Sequence, residues 1–181
     1  MVVSCHIKMT RHFQIIFYLL TIMCFSNCQN SGTECPRTAP SHLIDNFYSY
    51  QTIADFEKEI KNSYETIIVI ENSKLSDTDK RPPFDIYTIS IPEFKHLGLS
   101  GQLRASFFNN RLQSIWFYPD NVDEYLKELD NDLKINLKEE KEIRIDCVSI
   151  TKWTDFKDDL YFSWTDTRLQ QEQNDWISKY S

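Results

Sequence analysis

Beyond residue 30 the chain carries two imidazoles, His42 and His96, and two thiols, Cys35 and Cys147. A thiolate beside an imidazole can act as a nucleophile, because the ring takes the proton and raises the thiolate fraction. Neither cysteine stands in a motif that aims it at a histidine, and no G-x-S-x-G segment supplies a serine instead. Zinc sites call for Cys and His at short paired spacings, and no Cys-x-x-Cys or comparable Cys/His pattern occurs. Carboxylates cluster twice, as Asp77 with Asp79 and as Asp155 with Asp158 and Asp159. The first cluster lacks the glycine and closing glutamate of a calcium loop, and Lys80, Lys152 and Lys157 dilute the charge of both. Both read as solvated loops. No catalytic residue, metal ligand or cofactor is therefore expected, and the chain reads as a non-enzyme. Convergence of His42, His96 and a carboxylate in one cleft would instead favour an envelope hydrolase.

Composition narrows the classes further. The 181 residues hold 27 acidic and 20 basic groups, a net charge of −7, with 41% hydrophobic residues and only three glycines. Such a chain can bury a core of its own. Three glycines leave no room for a glycine-rich phosphate loop. The acidic balance argues against nucleic acid as a partner, since phosphate contacts need clustered Lys and Arg.

No Asp or Glu precedes Glu34, whereas Lys8 and Arg11 precede an apolar run over residues 13–25. A basic segment followed by a short apolar run is the pattern of a secretory signal peptide, assigned to residues 1–27. The run falls short of the roughly 20 residues of a membrane-spanning helix. Phe25-Ser26-Asn27-Cys28 then resembles a bacterial lipobox. The resemblance covers residues 9–28 and implies lipidation of Cys28. The acyl chains would anchor the protein to the membrane, on the periplasmic side of the outer membrane. A secreted or soluble periplasmic product is the alternative. Removal of residues 1–27 takes away Lys8 and Arg11 and no acidic group, leaving 18 basic against 27 acidic residues and a net charge of −9.

Residues 28–41, rich in Ser, Thr, Pro and Gly, read as a flexible tether. Export permits a Cys35–Cys147 disulfide, though a buried Cys147 with an exposed Cys35 thiol fits the pattern equally. A single domain follows over residues 42–181. Thr52 is placed to cap a helix whose apolar face holds Ile53, Phe56 and Ile60. Residues 66–70 are β-branched and read as a buried strand, and residues 84–91 as a second. Alternation over 102–107 and 111–118 around Asn109-Asn110 predicts a hairpin. Residues 121–133 predict a helix, 143–150 and 160–164 two strands, and Thr165 or Asp166 the cap of a terminal helix. His96 falls in the loop after the second strand.

This order predicts an α+β fold, a single antiparallel sheet of about five to six strands with helices packed on one face. Phe108, Trp116, Phe117 and Tyr118 fall on both faces of the hairpin, so they are candidates for an interaction patch. Trp153, Trp164 and Trp176 read as core or helix-docking residues rather than as a carbohydrate platform. The domain, with its hairpin and closing Trp176-Ile177-x-x-Tyr180 helix, is similar to small α+β domains of exported lipoproteins. That resemblance implies no functional residue. The expected function is a protein-interaction or envelope-assembly module, with a protein partner. An inhibitor or immunity-type protein that binds an enzyme is one alternative, and an envelope hydrolase the other.

Overall fold

The computed structural model describes Cys35, residues 39–61 and residues 63–181. The signal-like segment, Cys28 and most of the expected tether lie outside the described residues. The elements run α1 (Ile53–Ile60), β1 (Ile68–Ser73), β2 (Ile86–His96), β3 (Leu99–Phe108), β4 (Arg111–Pro119), α2 (Val122–Leu133), β5 (Glu142–Ile145), β6 (Val148–Thr154), β7 (Leu160–Asp166) and α3 (Thr167–Tyr180). The strands form one sheet in the order β1-β2-β3-β4-β7-β6-β5. Every neighbouring pair is antiparallel.

Local chemistry explains most boundaries. Asn109 and Asn110 both take positive φ, at 50° and 60°, as a two-residue turn between twisted strands requires. Their side chains do further work. Asn109 Oδ1 accepts from the Asp85 N–H at 2.9 Å, and Asn110 Oδ1 accepts from the Ile53 N–H at 3.2 Å at the start of α1. Thr52 caps α1 and Asn121 caps α2, each accepting from the backbone N–H three residues on. Asp166 caps α3 and is wholly buried. Burial works to raise its carboxyl, but bonds from Arg168, Ser49 and the Leu169 N–H bring it below the ordinary range.

The core lies between one sheet face and the helices α1 and α2. Phe56 of α1 meets Phe107 at 5.4 Å between ring centres. Tyr125 of α2 meets Phe117 and Phe162 at 4.8 and 4.9 Å. Each fully buried ring of this kind stabilises the fold by about 1.5–3 kcal/mol. The segment before α1 closes the layer, with Leu43, Ile44 and Phe47 buried. Ser41, assigned above to the tether, already belongs to the folded unit, its N–H donating to Ser49 Oγ at 2.9 Å.

The structure corrects five expectations. Among the described residues there are seven strands, because residues 143–150 are two strands around a turn at Asp146 (φ 52°) and Cys147. The run at 66–70 is not buried: Ile68, Val69 and Ile70 are each about half exposed on the sheet edge. There the β-branched residues serve strand geometry rather than the core. β2 passes through Pro92 by a register shift between Ile91 and Phe94, so His96 ends a strand instead of lying in a loop. The turn to β3 is Leu97-Gly98, with Gly98 at φ 80°. The helices also do not share one face. Phe108 points opposite to Phe107 and contacts Phe84, on which Trp176 of α3 packs at 4.4 Å. Last, Trp153 is neither core nor helix-docking but 55% exposed, whereas Trp164 is buried.

Candidate functional site

Strand alternation divides β4, β7 and β6 into two sets of side chains. The inward set is apolar: Ile115, Trp164 and Ile150 lie side by side, with Ala105 and Ile143 continuing the row. The outward set is hydroxyl-rich. One row runs Ser106, Ser114, Thr165, Ser149, Arg144, and the next runs Arg104, Trp116, Ser163, Thr151, Glu142. A third position along each strand is aromatic, bringing together Tyr118, Tyr161 and Trp153. Tyr118 and Tyr161 stack at 5.0 Å and Trp153 pairs with Tyr161 across the strands.

These rows floor a groove of about 430 Å³, bounded on one side by Gln170 and Gln173 of α3. That size falls within the roughly 300–1,000 Å³ of small-ligand sites. Gln113 Nε2 donates to Gln173 Oε1 at 2.8 Å, tying the helix to the floor. Thr151 and Ser163 share a hydrogen bond of 2.6 Å. The ionised pair lining the groove is self-compensating, since Arg144 Nε donates to Glu142 Oε1 at 2.9 Å. That contact, together with a bond from Ser149, lowers the Glu142 carboxyl. At the aromatic end, Arg104 lies 4.3 Å over the Tyr118 ring and donates to its hydroxyl at 3.0 Å. Burial raises the Tyr118 and Tyr161 hydroxyls, which stay protonated and able to donate.

The expected interaction patch divides between the two faces. Trp116 and Tyr118 stand on the open face, half-buried. Phe108 and Phe117 are fully buried and cannot meet a partner. Phe117 belongs to the α2-covered core, and Phe108 is sealed by Phe84 at the α3 end. The signal that marks the groove was present in the sequence as one pattern written three times: Ser114-x-Trp116-x-Tyr118, Ser149-x-Thr151-x-Trp153 and, reversed, Tyr161-x-Ser163-x-Thr165.

A second cleft, of about 450 Å³, gathers His42, Asp45, His96 and Asp132 with apolar neighbours including Leu129 and Trp164. His96 is buried, with Nδ1 2.6 Å from the Tyr125 hydroxyl and Nε2 3.8 Å from Asp45 Oδ1. Burial lowers the His96 pKa to about 4 against a raising influence of Asp132, so the ring is neutral near pH 7. Burial also raises Asp45, opposed by His42. His42 itself lies 2.6 Å from the Asp45 carbonyl. The two histidines thus do share a cleft with carboxylates.

Cys35 and Cys147 are joined by a disulfide, with Cα atoms 5.6 Å apart. The carboxylate clusters have local duties. Asp155 Oδ1 accepts from the backbone N–H of Lys157 and Asp159, and Asp79 binds Arg81 through both oxygens. Among the described residues no group of three or more His, Cys, Asp or Glu is arranged to hold a metal ion. No helix among them is long and apolar enough to cross a membrane. Comparison with protein-family models and with curated proteins finds no match.

Proposed function

We propose that this chain is an exported, membrane-tethered binding module of the cell envelope, which holds its partner on the open sheet face and does not convert it. The observation that supports this reading is the groove itself: a rigid floor of hydroxyls and amides on three paired strands, flanked by Trp116, Tyr161 and Trp153. Hydroxyl and amide groups on rigid strands orient a ligand, whereas acid–base catalysis needs a titrating group within reach of it. The ionised pair in the groove, Glu142 with Arg144, is bound to itself.

Cys28, in its lipobox-like setting, supplies the anchor in this reading, with the domain on the periplasmic side of the outer membrane. Labelling of cells with a palmitate analogue should tag the native chain and not its Cys28→Ser variant. An untagged, fully soluble product would end the anchoring half of the proposal. For the binding half, a photocrosslinker placed at Trp153 should trap an envelope component in native membranes, and one placed at Lys58 on α1 should not. Equal trapping at both positions would refute the face assignment.

The convergence of His42, Asp45, His96 and Asp132 favours a second reading, an envelope hydrolase. It requires release of fragments from envelope polymers by the purified chain, abolished by His96→Gln. No release from any polymer removes it.

A further inference from the structure

We propose that the groove on the β4-β7-β6-β5 face takes a neutral glycan chain, an inference that rests on the binding-module reading and names its ligand. Four features of the site carry it. First, the floor is built of hydroxyls. Ser114, Thr165, Ser149, Ser163 and Thr151 lie in two adjoining rows. Ser149 donates to Glu142 and one proton is used between Thr151 and Ser163. The rows therefore offer acceptor lone pairs throughout and donors from Ser114, Thr165 and one of the Thr151–Ser163 pair. A surface of that kind matches vicinal hydroxyls, which have the same ambivalence. Second, the amides of Gln113, Gln170 and Gln173 line the same groove, and although Gln113 Nε2 is used on Gln173 Oε1, the Gln170 amide and the Gln173 NH2 group add further donors and an acceptor.

Third, the aromatic residues gather at one end. Trp153 is 55% exposed beside the stacked Tyr118 and Tyr161. An exposed indole face offers apolar area to the C–H face of a pyranose ring while its N–H reaches a hydroxyl. Fourth, charge is compensated. A phosphate or polyuronate needs cations free to bind it, and Arg144 is held by Glu142 at 2.9 Å, while Arg104 at the aromatic end is engaged by Gln102 Oε1 and by the hydroxyl and ring of Tyr118.

A polypeptide fits this face poorly. β7 and β6 are hydrogen-bonded to strands on both sides, so strand addition could use only β5, the four-residue end strand Glu142–Ile145 at the margin of the groove, and not its floor. The floor between the rims also lacks the apolar pockets that anchor peptide side chains. What it presents instead is a hydroxyl lattice ending in ring faces.

The test uses the full chain purified in detergent, titrated with chitohexaose, cellohexaose and maltohexaose and followed by tryptophan fluorescence and calorimetry. At least one hexasaccharide should bind saturably below millimolar concentration, with little dependence on salt. Trp153→Ala should weaken that binding about tenfold, a loss in the range found on truncating an aromatic that contacts a ligand. Ser163→Val should weaken it too, and Lys58→Ala on the opposite side of the molecule should not. A polyuronate of the same length should bind no better than these probes. Absence of saturable binding by all three, tighter binding of the polyuronate, or indifference to both groove substitutions would overturn the proposal. A polypeptide trapped through position 153 in native membranes would also overturn the glycan and leave the binding module standing.

Discussion

Acidification should destabilise the fold through one side chain. His96 sits between Tyr125 and Asp45, and its ring is neutral in the folded chain because burial holds its pKa down to about 4. In the unfolded chain the same ring titrates near its ordinary value of about 6.5. The unfolded state therefore binds the proton first, so stability from this group is complete above pH 6.5 and declines as pH falls toward 4. Between about pH 7.5 and pH 4.5 the loss comes to about 2.5 kcal/mol. Asp45 acts in the other direction: its raised carboxyl lets the folded state take a proton early, which offsets part of the loss. Urea unfolding followed by tryptophan fluorescence reads this directly, because Trp164 lies 5.6 Å from the His96 ring. His96→Gln, once shown to be folded near neutral pH, should flatten the pH dependence over that range. Equal acid loss in the native and substituted chains would refute the assignment.

Other expectations follow from equally local features. Opening the Cys35–Cys147 bridge, which spans 112 residues, should cost about 4–5 kcal/mol on a chain-entropy account, read as a drop in the urea midpoint on reduction. An unchanged midpoint would mean that the bridge restricts little in the unfolded chain. Val69→Lys, on the exposed edge of β1, should shift stability by no more than about 0.5 kcal/mol, as surface substitutions do. A loss of several kcal/mol in thermal unfolding would contradict its exposure. Asn110→Gly should fail to stabilise the hairpin. Glycine suits the positive φ, but the change removes the acceptor for the Ile53 N–H, worth about 1 kcal/mol.

Where one residue's chemistry determined the local geometry, the sequence was readable. Asn109-Asn110 could be placed as a turn because few residues tolerate two consecutive positive φ values, and Thr52 could be placed as a cap, with the last cap narrowed to Thr165 or Asp166, for a similarly narrow reason. Tertiary context decided the rest. The run Ile68-Val69-Ile70 has the composition of a core strand, and only the sheet order reveals that nothing covers it. The turn at Asp146-Cys147 is hidden inside an unbroken alternation of residue types, so two strands read as one. The second strand reads from the sequence as ending at residue 91, whereas a register shift absorbs Pro92 and carries His96 into the wall of a cleft. The groove was half legible: Trp116 and Tyr118 stood out as aromatics. Their hydroxyl neighbours passed for ordinary outward-facing residues until β7 joined β4 to β6 and aligned them.

The disulfide has a mechanical consequence. Tension applied at Cys35 divides there, and one branch runs through sulfur to Cys147. Load then enters at the β5–β6 turn, on the outermost hairpin of the sheet, and largely bypasses the Ser41–Ser49 contact and the strap beneath α1. Pulling on the oxidised domain would strain the β5–β6 edge first, next to the groove. In the reduced domain the same pull would peel Leu43, Ile44 and Phe47 from the core. The bridge thus selects which part of the molecule yields under force.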